Sequence, residues 1–181
     1  MKKYFKLLGI AFMATTLCVA MASCNKDKDN DESDTPDSGI ATAGYVDLGL
    51  PSGTKWKADN EANPNDENDF YTYDKALAAF GNQLPTKEQF QELIDNCLWS
   101  WNDTKKGYDI RNNGNTIFLP AAGDSDCDGN VQCVGSRGGY WSSMPDDSEE
   151  AWYLFIPFSS GDARINNRPR CNGLSVRLVH N

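Results

Sequence analysis

The apolar residues change their spacing once along this chain, and that change limits what it can fold into. Phe90, Leu93, Ile94, Cys97 and Leu98 fall at i, i+3, i+4, i+7 and i+8, which places them on one face of a helix. Just upstream, Thr86-Lys87-Glu88-Gln89 has the capping-box pattern: the Thr86 hydroxyl can accept from the Gln89 amide while the Gln89 side chain reaches back. Pro85 sharpens this start. Tyr73 to Phe80 holds helix formers, and Gly81 stands where a C-cap is needed. Beyond residue 98 the period falls to two.

Trp99–Trp101 and Tyr108–Arg111 can pair across a Lys105-Lys106-Gly107 turn. Asn112-Asn113-Gly114-Asn115 is a strong turn signal, and Thr116–Leu119 reads as a buried strand. Gly139–Ser142, Trp152–Ile156 and Leu174–Val179 read as further strands. In the last of these, Leu174, Val176 and Leu178 alternate with Ser175 and Arg177. Near the start, Tyr45–Leu48 and Thr54–Lys57 flank the turn Leu50-Pro51-Ser52-Gly53, and the polar stretch Ala58 to Asn68 reads as a loop. Two early helices followed by many short strands predict an α+β domain from residue 44 to 181. There is no internal repeat of solenoid length.

The first 43 residues read as address and tether. Lys2, Lys3 and Lys6 precede an apolar run from Leu7 to Ala20, interrupted only by Thr15 and Thr16, that is short for a membrane span. Met21-Ala22-Ser23-Cys24 then resembles the lipobox of bacterial lipoproteins, in which Cys24 receives a diacylglycerol and cleavage falls just before it. On this reading residues 1–23 are a signal peptide, Cys18 leaves with it, and lipid chains such as palmitate anchor the product. A membrane partner held through two or three acyl chains stays bound, whereas a single chain binds only marginally. Residues 24–43 follow as an acidic tether; Asn25 to Ser38 carries six acids, two lysines and no apolar residue, too little to offset the entropy of ordering. An acidic run behind the lipidated cysteine also resembles the surface-export signal of some Gram-negative lipoproteins. The expected location is the outer membrane, on the cell surface.

Five blocks in order carry a further resemblance: residues 45–56 (Tyr45-Val46-Asp47-Leu48-Gly49-Leu50-Pro51-Ser52-Gly53-Thr54-Lys55-Trp56), Leu84-Pro85-Thr86, Phe118-Leu119-Pro120-Ala121-Ala122-Gly123, Tyr140-Trp141-Ser142-Ser143 and Gly173-Leu174-Ser175-Val176-Arg177. Their order resembles the Fibrobacter succinogenes major paralogous domain family, related to the domain of unknown function 1566 group. That resemblance implies a C-type-lectin-like fold, a compact α+β domain whose long loops carry ligands. It implies export and no shared enzymatic activity.

Charge and cysteine chemistry narrow the function. The formal charge is −9, and loss of Lys2, Lys3 and Lys6 with residues 1–23 takes it to −12. A surface this acidic repels phosphate backbones, so no nucleic-acid partner is expected. Asp124-Ser125-Asp126-Cys127-Asp128-Gly129-Asn130 is the first half of an EF-hand-type loop, and Asp124, Asp126, Asp128 and Asn130 are candidate Ca²⁺ ligands. Gly135 stands where such a loop needs its bidentate Glu, so the competing reading is an acidic surface loop without a cofactor. In an oxidising compartment four cysteines remain available, and Cys127 with Cys133 is the expected disulfide. Cys97 with Cys171 follows by elimination, against a buried free Cys97 thiol.

His180 is the only histidine and lies next to the terminus, so Ser-His-Asp, Cys-His and zinc-hydrolase chemistry is not expected and the chain is not read as an enzyme. Asp146, Asp147, Glu149 and Glu150 are the carboxylates left for glycoside hydrolysis, but they read as a solvated charge run. Trp56, Trp141 and Trp152 read as core. Trp99 and Trp101 share a strand face, as do Tyr71 and Tyr73 if extended; these are core or ligand-stacking rings. Arg164, Asn166, Asn167, Arg168, Arg170 and Asn172 form a positively charged polar island in an acidic domain. Arginine forks suit carboxylates or sulfated sugars, so this island is the candidate ligand site for a glycan or protein; the competing reading is a solvated loop whose arginines neutralise local acids. The rival readings are a structural or adhesive subunit of a surface assembly and a polysaccharide-active enzyme.

Overall fold

The computed structural model describes residues 44–157 and 162–181. The expected signal peptide, Cys24 and the expected tether lie outside the described residues. The strands are β1 Tyr45–Asp47, β2 Lys55–Lys57, β3 Leu98–Asn102, β4 Gly107–Asn112, β5 Asn115–Pro120, β6 Asp124–Ser125, β7 Val131–Gln132, β8 Gly138–Pro145, β9 Glu150–Ile156, β10 Arg164–Pro169 and β11 Val179–His180. The helices are α1 Tyr73–Phe80 and α2 Lys87–Asn96, joined through a 3₁₀ turn at Gly81–Gln83. The strands pair antiparallel in four small sheets, ordered β1-β2-β11, β3-β4-β5, β10-β9-β8 and β6-β7. The domain is therefore α+β, with two helices and mostly antiparallel strands.

Local chemistry explains most of these elements. The Thr86 hydroxyl accepts from the Gln89 amide at 3.2 Å and Gln89 Oε1 accepts from the Thr86 amide at 2.9 Å, closing both halves of the capping box. Helix α2 buries Phe90 and Leu93. It stops at Asn96, two residues short of the apolar pattern. Cys97 is extended and half-buried, and Leu98 enters β3 opposite Arg111 with 77% of its surface exposed. Strand pairing overrides the last turn that the spacing predicts. Asn113 and Gly114 both take positive φ (48° and 75°), as a tight two-residue hairpin between β4 and β5 requires.

Two apolar clusters fill the interior. One joins Trp56, Phe90, Leu93, Ile110, Leu119, Leu154 and others, with Trp99 and Trp101 against it. Both tryptophans meet Tyr108 edge-on, at 5.7 and 5.2 Å. The second joins Tyr71, Tyr73, Trp141, Tyr153, Leu174 and Val176. Trp56 and Trp141 are core as expected, whereas Trp152 is only half-buried, with the Lys87 ammonium over its ring at 4.8 Å.

The expected strand Leu174–Val179 is corrected. Only Val179–His180 forms β11; Leu174 and Ser175 make single bridges, to Tyr71 and Tyr140. With neighbours on both sides, the whole run from Asn172 to Val179 is buried, Ser175 and Arg177 included. Arg177 is 1% exposed. It donates to Asn60 Oδ1 (2.9 Å), to the carbonyls of Lys57 (2.8 Å) and Phe118 (2.7 Å), and to that of Ala58. A buried guanidinium surrounded by carbonyls makes a polar hub that fixes three segments to one another. Burial lowers its pKa, while Tyr140, Asp59 and Glu61 raise it.

Candidate functional site

The candidate ligand residues lie mainly on a strand. Antiparallel register sets Arg164 opposite Phe155, Asn166 opposite Tyr153 and Arg168 opposite Ala151, and cross-strand partners share one face of a sheet. The Arg164 guanidinium therefore rides over the Phe155 ring at 4.5 Å and that of Arg168 over Tyr153 at 5.6 Å. Arg170, just past β10, covers Tyr73 at 4.8 Å. Beneath them the rings form a continuous edge-to-face row: Tyr73–Trp141 at 5.5 Å, Trp141–Tyr153 at 6.3 Å and Tyr153–Phe155 at 6.3 Å. Three arginines on three aromatic faces lose little further freedom when they grip a ligand.

The arginines differ in what already holds them. Arg170 pairs with Asp74 and donates to the Ser148 carbonyl at 3.3 Å. Arg168 forms an ion pair with Asp124, its Nη1 3.1 Å from Oδ1. Arg137, which sequence reasoning did not single out, donates to the same carboxylate through Nε (2.7 Å) and Nη2 (3.1 Å). That contact raises the Arg137 pKa, with burial acting against it. Burial likewise pushes the Tyr153 phenol upward, so it stays protonated beside Arg168. Arg164 is exposed and has no ion pair among the described residues.

The asparagines divide in the same way. Asn166 Oδ1 accepts from the Asn167 amide at 3.0 Å, and Asn167 Nδ2 donates to Asp146 at 2.7 Å. Asn172 is 6% exposed and donates to the Ser125 carbonyl at 3.1 Å, so it is not part of the outer face.

The acidic loop has an architecture of its own. Asp124 is 2% exposed and turned under the arginines. Asp126 organises the turn: Oδ1 accepts from the amides of Asp128 (3.0 Å) and Asn130 (2.9 Å), and Oδ2 from the Asn130 side chain (2.9 Å). These bonds, the Asn130 side chain first, hold its pKa below the usual carboxylate range. Asp128 and Asn130 are exposed. Among the described residues no group of three or more His, Cys, Asp or Glu side chains could hold a metal ion.

The disulfide is corrected. Cys127 bonds Cys171, with Cα atoms 4.9 Å apart, while Cys133 is a free exposed thiol and Cys97 a free half-buried one. Register gives the reason. Ser125 and Gly173 form an antiparallel bridge, their amides and carbonyls exchanging bonds of 2.9 and 3.1 Å, so two residues beyond one lie opposite two before the other. Within β6–β7, Asp124 opposes Gln132, so Cys127 goes to the turn and Cys133 to the open end. Beside the disulfide lies a polar cleft of about 160 Å³ lined by Asn63, Asp66, Thr72, Lys75, Ser125 and Asp126.

No protein-family model matches the chain, and no curated protein or solved structure matches it. The arrangement is therefore read on its chemistry. A row of guanidinium groups held over aromatic rings offers planar, always-charged donor forks to acceptors outside. His180, the lone imidazole of the chain, meets the Tyr45 ring at 5.8 Å.

Proposed function

We propose that this protein is an outer-membrane lipoprotein whose domain is a ligand-binding module, anchored through lipid on Cys24 and displayed at the cell surface. The observation that carries the binding reading is Arg164, an exposed guanidinium stacked on Phe155 and unspent on any carboxylate among the described residues. The ligand is a glycan or protein met by Arg164, Asn166, Asn167 and Arg168. The five-block resemblance supports a C-type-lectin-like domain of the kind that uses exposed loops and edges for recognition, and two helices with mostly antiparallel strands are compatible with it. Of the four candidate Ca²⁺ contacts, Asp126, Asp128 and Asn130 stay with this reading, while Asp124 is buried against Arg137 and Arg168. The anchor reading rests on the positive, apolar and small-residue segments ahead of Cys24.

Two measurements test it. Labelled palmitate should enter the wild-type chain in bacteria and not Cys24→Ala; equal labelling would overturn the anchor. Glycan and protein arrays should lose their strongest signal at least about tenfold with Arg164→Ala combined with Arg168→Ala, roughly 1.4 kcal/mol of binding. Undiminished binding by that variant would move the ligand off this face.

A further inference from the structure

Resting on the reading of the β9–β10 face just given, we propose that its ligand is a carboxylated polysaccharide, with Arg164 gripping a carboxylate. Arg137 and Arg168 share the single carboxylate of Asp124, and Arg164 stands on the same face of β10 as Arg168. Asp124 accepts two N–H groups from Arg137, has Arg168 Nη1 at 3.1 Å and is closed to solvent, so it is not free to draw an incoming cation. It fixes two arginines in place and leaves each with unused donors. Arg164, held over Phe155 and without an ion pair among the described residues, offers its fork, and a planar fork matches a planar carboxylate in bidentate fashion.

Spacing suits a repeating polymer. Arg164, Asn166 and Arg168 alternate along one strand face over a backbone span of about 13 Å, with the amide of Asn166 between the two cations. Carboxylates separated by hydroxyl-bearing stretches meet that order of cation, amide and cation. The acidic remainder of the domain is screened beyond about 8 Å at physiological salt, so local charge decides.

An acidic peptide adding as a strand is disfavoured by the edge of β10. The Asn167 amide is taken by the Asn166 side chain at 3.0 Å, and Pro169 has no N–H to give. Strand addition needs those donors; a polysaccharide lying across side chains does not.

Titration calorimetry on the full chain in detergent tests this, with polygalacturonate and its methyl ester as probes. The acid polymer should bind, and esterification, which removes the charge, should weaken binding at least about tenfold. Arg164→Ala should do the same, and Arg164→Lys should not restore affinity, because it returns charge without the fork. An unshifted melting curve for both variants shows that neither acts through unfolding. Equal affinity for polymer and ester would overturn the inference. So would no binding of polygalacturonate when an array ligand is still lost in Arg164→Ala, a result that leaves the face reading standing. If no ligand at all depends on Arg164 or Arg168, both readings fall together.

Discussion

Tyr140 and Cys97 show how single buried groups tie stability to pH. Tyr140 is fully buried and donates to the Pro120 carbonyl at 2.7 Å. Burial pushes its pKa from 10.0 up to about 12, although Arg177 pulls the other way. Burial, with Glu92 adding to it, pushes the Cys97 thiol from 9.0 up to about 11. Both folded values exceed the unfolded ones, so the neutral forms favour the fold. Their stability is complete below about pH 10 for Tyr140 and about pH 9 for Cys97 and drains away as pH rises through the folded values. Two units on Tyr140 amount to something on the order of 2–3 kcal/mol, and the half-exposed thiol contributes less. Denaturant midpoints should fall between pH 10 and 12, and Tyr140→Phe should flatten that fall. An identical pH slope in the variant would show that the phenol is not responsible. Arg177 is the counterexample for legibility at this scale: an arginine between two apolar residues reads as an outward strand position, and only the segments packed on both sides make it core.

Helix α2 is the element most plainly written in the chain. Thr86→Ala removes one half of its capping box and should cost about 1 kcal/mol, close to 4 °C in calorimetric Tm, while Thr86→Ser should lose little. A Tm unchanged by the alanine would mean that the cap contributes nothing. Gln89 makes this cap more than local, because its amide also donates to Thr54 Oγ1 and Asn181 Oδ1, both at 3.0 Å. The helix start was legible because the capping residues adjoin it. Its end was not, because the partner that draws Leu98 into a strand, Arg111, lies 13 residues away on β4. Segment 164–169 was legible as a charged island but not as a strand, since Arg-Ile-Asn-Asn-Arg-Pro has weak strand propensity and pairs through β9.

At the scale of the molecule, the Cys127–Cys171 bond joins the acidic loop to the segment that leads into the buried C-terminal run, across 44 residues. In the chain-entropy view a loop of that length is worth about 4 kcal/mol, and measured values centre on 2–4 kcal/mol. Reduction, or Cys171→Ser, should lower stability by that order, and Cys133→Ser should leave it unchanged. Non-reducing peptide mapping that recovered a Cys127–Cys133 peptide would overturn the pairing. The composition, the segment order and the caps determined by themselves that this is an acidic α+β domain behind a signal-like N-terminus, since charge, hydrophobic period and turn chemistry act over a few neighbours. The disulfide partner, the burial of Arg177 and the Arg137–Asp124–Arg168 cluster were decided only by tertiary structure. Each depends on how distant segments pack, which brings together residues between 13 and 120 positions apart on surfaces that no local pattern encodes.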